Sequence, residues 1–169
     1  MAASTHFASF YLGLEIVSVA QYSLVSYVRR DRRGTEAGIK YVILAAASAA
    51  FLLFGMALVY AELGTMRFDA LAHAPIDLLE NKVVLLGAAM MFAAICFKLS
   101  IVPFHLWSAD VYQGAPTPVT AFIATAAKVG VLAVLARYFA VENSYVANSL
   151  HLFVAVTAAA SMLTGNVLA

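Results

Sequence analysis

Long apolar runs alternate with short polar breaks along this chain, and the runs have lengths that suit a lipid bilayer, which takes roughly 20 helical residues to cross. Five stand out, over residues 4–28, 35–61, 83–113, 118–139 and 148–169. Charge gathers in two of the breaks. One is RRDRR at Arg29 to Arg33; the other runs from Gly64 to Lys82 with Arg67, Asp69, His73, Asp77 and Glu80. The pattern predicts an all-α fold, a polytopic transmembrane helix bundle of about five spans forming a single domain.

The third run is the unusual one. Pro103 lacks a helix donor and clashes with the preceding turn, so a kink or an unwound turn is expected there. At 1.5 Å per residue the run would be about 45 Å long, more than the hydrocarbon core needs, which leaves room for irregular backbone inside it. Lys98 lies near its midpoint and His105 follows seven residues later. The GAPTP stretch, Gly114 to Pro118, then forces a reversal, and Thr117 before Pro118 marks the start of the fourth run, with Lys128 near its centre. Glu15 holds the middle of the first run.

An ionisable side chain at mid-bilayer costs roughly 2.5–3.5 kcal/mol on insertion scales and faces a bundle interior or a water-filled path. Glu15, Lys98 and Lys128 are therefore candidates for a route that carries charge. Burial disfavours a charged lysine and a nearby carboxylate favours it, so a glutamate that approaches or leaves Lys98 would make it hold or release a proton. His105 reads either as a structurally bonded core residue or, being of a type that titrates near neutrality, as a proton relay.

The other polar residues read as structural. Glu36 and Lys40 stand in a favourable i,i+4 order, and the small residues Ala45 to Ala50 form a surface on which a neighbouring helix can pack closely. His6, Trp107 and Tyr112 are expected at the membrane interface, Asp110 against backbone donors near the loop, and residues 75–82 in a short interfacial helix. Asp69, His73 and Asp77 lack a recognised ligand spacing, so no metal site is expected.

Composition agrees with the pattern. Hydrophobic residues are 64% of the chain, charged residues 11% and mean hydropathy is +0.91, values that set it apart from water-soluble domains. The net charge of +1 says little about partners, and the arginine cluster reads as the cytoplasmic flank of a span by the positive-inside rule rather than as a nucleic-acid patch. Cys96, the single cysteine, excludes an internal disulfide and an all-cysteine zinc or iron–sulfur site, and reads as a packing residue. The start, MAASTHFASF, lacks a secretory signal pattern, and the final run stops without a polar flank, which suggests truncation.

The stretch FKLSIVPFHLWSADVYQGAPTPVTAFIATAAK resembles the antiporter-like proton-translocating subunits of respiratory complex I, and among them the subunit N family of NADH-quinone oxidoreductase. FYLGLEIVSVAQYSLVSY, TEAGIKYVILAAASAAFLLFGMALVYAELGT and SMLTGNVLA extend the resemblance over nearly the whole chain, and VYQGAPTPVTAF favours subunit N over its sister subunits L and M. Ala109 departs from the proline usual at that place, which bears on the shape of the loop. The resemblance implies a fragment, helices five to nine of an inverted-repeat protein of roughly fourteen helices. It gives Glu15, Lys98 and Lys128, with His105 on the broken helix, as proton-translocating residues. It implies no cofactor in this chain, with NAD, FMN, iron–sulfur clusters and quinone in the wider complex. The implied partners are the lipid bilayer, other membrane subunits and protons, in the inner (plasma) membrane of a bacterium. A cation/proton antiporter subunit and a non-pumping structural membrane module are the alternatives.

Overall fold

The computed structural model describes residues 2–28, 32–72, 81–141 and 144–168, which form eight helices. Helix α1 spans Phe7–Val25, and its first turn is capped by His6, whose Nδ1 accepts from the Ala8 N–H at 3.2 Å. His6 thus has a local task at the end of a span. Helix α2, Arg32–Leu63, begins inside the arginine cluster and carries no charge between Lys40 and Glu62. A short α3, Phe68–Ala72, follows. Helix α4, Lys82–Leu99, starts at Asn81, whose side chain accepts from the Val83 N–H at 2.9 Å.

Helix α5 covers Leu106–Gly114, and α6 (Thr117–Ala124) opens at Pro116 with proline in its first turn, as the GAPTP stretch led one to expect. Helices α7 (Ala126–Val141) and α8 (Ser144–Leu168) complete the bundle. The third run is accordingly two helices, α4 and α5, separated by an unwound stretch at 100–105 that contains a cis Val102–Pro103 bond. The fourth run is interrupted as well: Thr125, at φ −116° and ψ −80°, separates α6 from α7 with no glycine or proline there to announce it.

The third run lies antiparallel along α2 for its whole length. At one end the Asn81 amide donates to Glu62 Oε2 at 2.9 Å; midway the Ser48 hydroxyl donates to the Ala94 carbonyl at 3.3 Å; at the far end Lys40 pairs with Asp110 at 2.9 Å. Backbones touch at a pair of glycines. A Cβ on Gly55 would lie 2.6 Å from the Gly87 carbonyl oxygen, and one on Gly87 would lie 2.8 Å from the Gly55 oxygen. Ala45 and Ser48, from the small-residue surface, are buried in the same contact.

Two apolar clusters fill the interior, one around Phe10, Leu14, Met56 and Met91, the other around Val25, Tyr41, Trp107 and Ile123. Outer faces carry large apolar side chains in the open, such as Ile16 at 72% exposure and Leu106 at 75%, the reverse of a water-facing surface. Four stretches are long and apolar enough to cross a membrane: Phe7–Val25, Arg32–Leu63, Lys82–Leu99 and Thr117–Arg137. Helix α8 adds the shorter apolar stretch Val154–Val167. This is the polytopic helical bundle, with a broken third run, that the pattern predicts. His73, Asp77 and most of the expected interfacial helix at 75–82 lie outside the described residues, as do Arg29 and Arg30.

Candidate functional site

Irregular backbone at membrane depth has to be satisfied by protein or water. At the break the Ser100 and Ile101 N–H groups donate to the carbonyls of Phe97 and Cys96 at 3.0 and 2.9 Å, with Ser100 in the left-handed region at φ 58°. The Trp107 indole N–H donates to the same Phe97 carbonyl at 3.0 Å. From α8, Ser161 Oγ accepts from the Val102 N–H at 3.1 Å while donating to the Thr157 carbonyl at 2.7 Å. The break is thus held from both sides.

Trp107 corrects one expectation. Rather than facing outward, it is 5% exposed and stacks on Tyr41 at 4.8 Å and Phe97 at 5.2 Å between ring centroids. An indole can be buried when its N–H has a partner, and Phe97 supplies one. Tyr112 also turns inward: its ring meets Trp107 edge-on and its hydroxyl is enclosed without a hydrogen-bond partner.

Lys98 sits in the last turn of α4, where the helix dipole favours a cation. Its Nζ donates to Ser18 Oγ at 2.5 Å, and the Ser18 hydroxyl donates in turn to the Leu14 carbonyl at 2.7 Å. Among the described residues no carboxylate forms an ion pair with Lys98. Glu15, one turn back on α1, is close enough for its charge to act on the ammonium, yet its Oε1 is enclosed and without a hydrogen-bond partner. The two residues are neighbours here rather than partners.

Beside Lys98 lies a cavity of about 20 Å³, large enough for one water. Its polar lining is Ser18, Gln21, Tyr41 and Lys98, and α7 contributes Ala127 and Val131. The Tyr41 hydroxyl donates to Gln21 Oε1 at 2.9 Å, while Gln21 Nε2 is enclosed and unpartnered. Lys128 stands on α7 between those two wall residues, half-buried, with its Nζ 5.7 Å from the centroid of the Tyr112 ring, a cation–π distance. His105 occupies the N-cap position of α5; both ring nitrogens are enclosed without hydrogen-bond partners. Lys98 therefore lines a small cavity that the Lys128 helix helps to wall, while Lys128 itself lies over the Tyr112 ring and His105 stands at the break.

Asp110 corrects a second expectation. Instead of meeting backbone donors it takes the Lys40 ammonium at 2.9 Å, and Lys40 also pairs with Glu36 at 2.8 Å, the i,i+4 contact read from the sequence. At the opposite end of the bundle Arg67 grips Asp69 at 2.8 Å and holds its carboxyl below the ordinary 3.8, at about 2. Ser18, Gln21 and Tyr41 join the site only in the structure, although Glu15, Ser18 and Gln21 recur every third position through the middle of a largely apolar helix. That spacing was the available signal.

A bundle of apolar helices that unwinds one apolar run near its middle and encloses ionisable groups defines a multi-pass membrane protein. Residues 4–169 match the family described as NADH:quinone oxidoreductase/Mrp antiporter, TM, and the chain belongs to that family. It is 48% identical over 172 residues to NADH-quinone oxidoreductase subunit N of Nitrosospira multiformis, and 47% identical over 169 residues to the subunit N of Ectopseudomonas mendocina. Each alignment takes in 100% of this chain and 34% of the relative, so the chain spans about a third of the length of the curated relatives it matches. Among solved structures, a chain of respiratory complex I from Thermus thermophilus with bound aureothin superposes with a TM-score of 0.80 at 34% identity, over 99% of this chain and 35% of that one.

Proposed function

We propose that this chain is part of the membrane subunit N of a proton-pumping NADH-quinone oxidoreductase, and that it conducts protons through Glu15, Lys98, His105 and Lys128. The observation that carries this reading is Lys98: a half-buried ammonium at a broken span, hydrogen-bonded to a neutral hydroxyl, beside a cavity of water size. A lysine kept for structure would be paired with a carboxylate or replaced by an apolar residue, because burial without a charged partner is costly.

In this reading Lys98 and Lys128 are successive proton holders. The cavity between α1, α4 and α7 offers a water-sized stepping point, and His105 supplies a group able to take or give a proton near neutrality. Lys98 gains a proton most readily when Glu15 is near and loses it most readily when Glu15 is away, since burial then disfavours the charge. Coupling comes from redox chemistry elsewhere in the complex, where NAD, FMN, iron–sulfur clusters and quinone reside. The chain works in the inner membrane of a bacterium among other membrane subunits, with the Arg29 to Arg33 side cytoplasmic.

The test is Lys98→Ala in the full-length subunit, with the assembled complex reconstituted in vesicles. Proton pumping per NADH oxidised is expected to fall by at least about tenfold, as for loss of a positioned acid–base group. Pumping at the normal ratio in a fully assembled complex would overturn the reading. The family description also includes the Mrp antiporter, which supports a second reading, a cation/proton antiporter subunit. In that case transport would follow a sodium or potassium gradient with neither NADH nor quinone present.

A further inference from the structure

Glu15 and Ser18 are three residues apart on α1 and therefore share one face of the helix. Lys98 is bound to the second of them and not to the first. The Ser18 hydroxyl hydrogen is committed to the Leu14 carbonyl, so toward Lys98 the oxygen can only accept. Ser18 is 2% exposed, so its hydroxyl is spent on protein groups. Meanwhile Glu15 Oε1 lies enclosed with no hydrogen-bond partner of its own. A hydroxyl acceptor is occupied while the carboxyl oxygen Glu15 Oε1 is unpartnered three residues away, about 4.5 Å along the helix.

We infer that Ser18 is a second docking position for the Lys98 ammonium, in competition with Glu15, and that this serine holds Lys98 in its unpaired arrangement beside the cavity. Ser18 is a positioning residue: it accepts no proton for transfer but sets which of two places on α1 the lysine occupies. The four-carbon lysine stem is flexible enough to cover one helical turn. At Glu15 the ammonium is paired with a carboxylate and keeps its proton. At Ser18 it faces Gln21 and the α7 wall, where a water can receive the proton. The inference rests on the proton-conducting reading proposed above.

The test is a set of variants in the full-length subunit within the assembled complex, read as protons pumped per NADH oxidised in vesicles. Ser18→Ala removes one hydroxyl with almost no change of volume and leaves Lys98 to Glu15; pumping is expected to fall roughly fivefold, the worth of one hydrogen bond. Ser18→Thr, which keeps a hydroxyl able to bond the carbonyl four residues back, is expected to restore it. In a Glu15→Gln background the same Ser18→Ala change should cost much less, because the competitor has lost its charge. Equal losses in both backgrounds, or no rescue by Ser18→Thr, would mean that Ser18 only packs, and would overturn the inference. So would normal pumping by Ser18→Ala while Lys98→Ala pumps poorly, with the broader reading left intact. Normal pumping by Lys98→Ala itself would bring down both.

Discussion

Gly87 and Lys98 lie on the same helix, α4, about three turns apart, and their surroundings are built on opposite principles. At Gly87 two backbones meet with no room for a Cβ. At Lys98 the helix ends in an unwound stretch, and Glu15 Oε1, Gln21 Nε2 and both His105 nitrogens are enclosed without hydrogen-bond partners. Close packing permits one arrangement; unsatisfied polar atoms around a flexible cation permit several. One end of the helix is an anchor, and the other is where partners can be exchanged.

The comparison can be broken most severely at the anchor. Gly87→Leu places a side chain against the Gly55 carbonyl, Val59 and the Leu58 Cβ, and the nearest of these is backbone. Overpacking of this kind costs about 1–3 kcal/mol or more, so little folded subunit should be recovered, as judged by size-exclusion of the detergent-solubilised protein. Normal recovery would show that the two helices are free to separate. At the exchanging end, by contrast, Lys98→Met should leave the melting temperature unchanged or raise it, because an apolar chain replaces a buried cation with no ion pair. A fall of several degrees would mean that Lys98 holds the fold together.

Smaller changes sharpen the boundary between the two regions. Trp107→Phe keeps the stack on Tyr41 and leaves the Phe97 carbonyl only its Ser100 donor, a loss of about 0.5–1.5 kcal/mol that differential scanning fluorimetry should detect. Ser161→Ala leaves the Val102 N–H unpartnered across the break and should cost about 1 kcal/mol, read as faster hydrogen exchange at 100–105 with little change elsewhere.

The weakest effect is expected at the Arg67–Asp69 pair, which is exposed and distant from both regions. Because its carboxyl is held below the ordinary 3.8, at about 2, the pair contributes fully above 3.8 and loses its contribution as pH falls through about 2. The small stability difference between the wild type and Asp69→Asn should therefore be constant above the ordinary value and close toward the lower one. A difference that widens on acidification would contradict this assignment.

The apolar runs, the break near Pro103 and the ionisable residues inside the runs were all legible in the sequence. The physical reason is that lipid offers the backbone no hydrogen bonds, so an apolar run of spanning length must be helical, and a charge within it must be accommodated. Even the Glu36–Lys40 pair followed from helical spacing alone. Tertiary structure alone decided the partners. Lys98 meets Ser18 across 80 residues of chain, and Val102 meets Ser161 across 59; the inward turn of Trp107 belongs with them. Such contacts depend on how each helix is rotated and shifted against its neighbours. A rotation of one residue's worth would have given Lys98 a different acceptor, and no local preference in α1 or α4 specifies that rotation. It is fixed by side chains packing from several helices at once, the glycine contact on α2 above all.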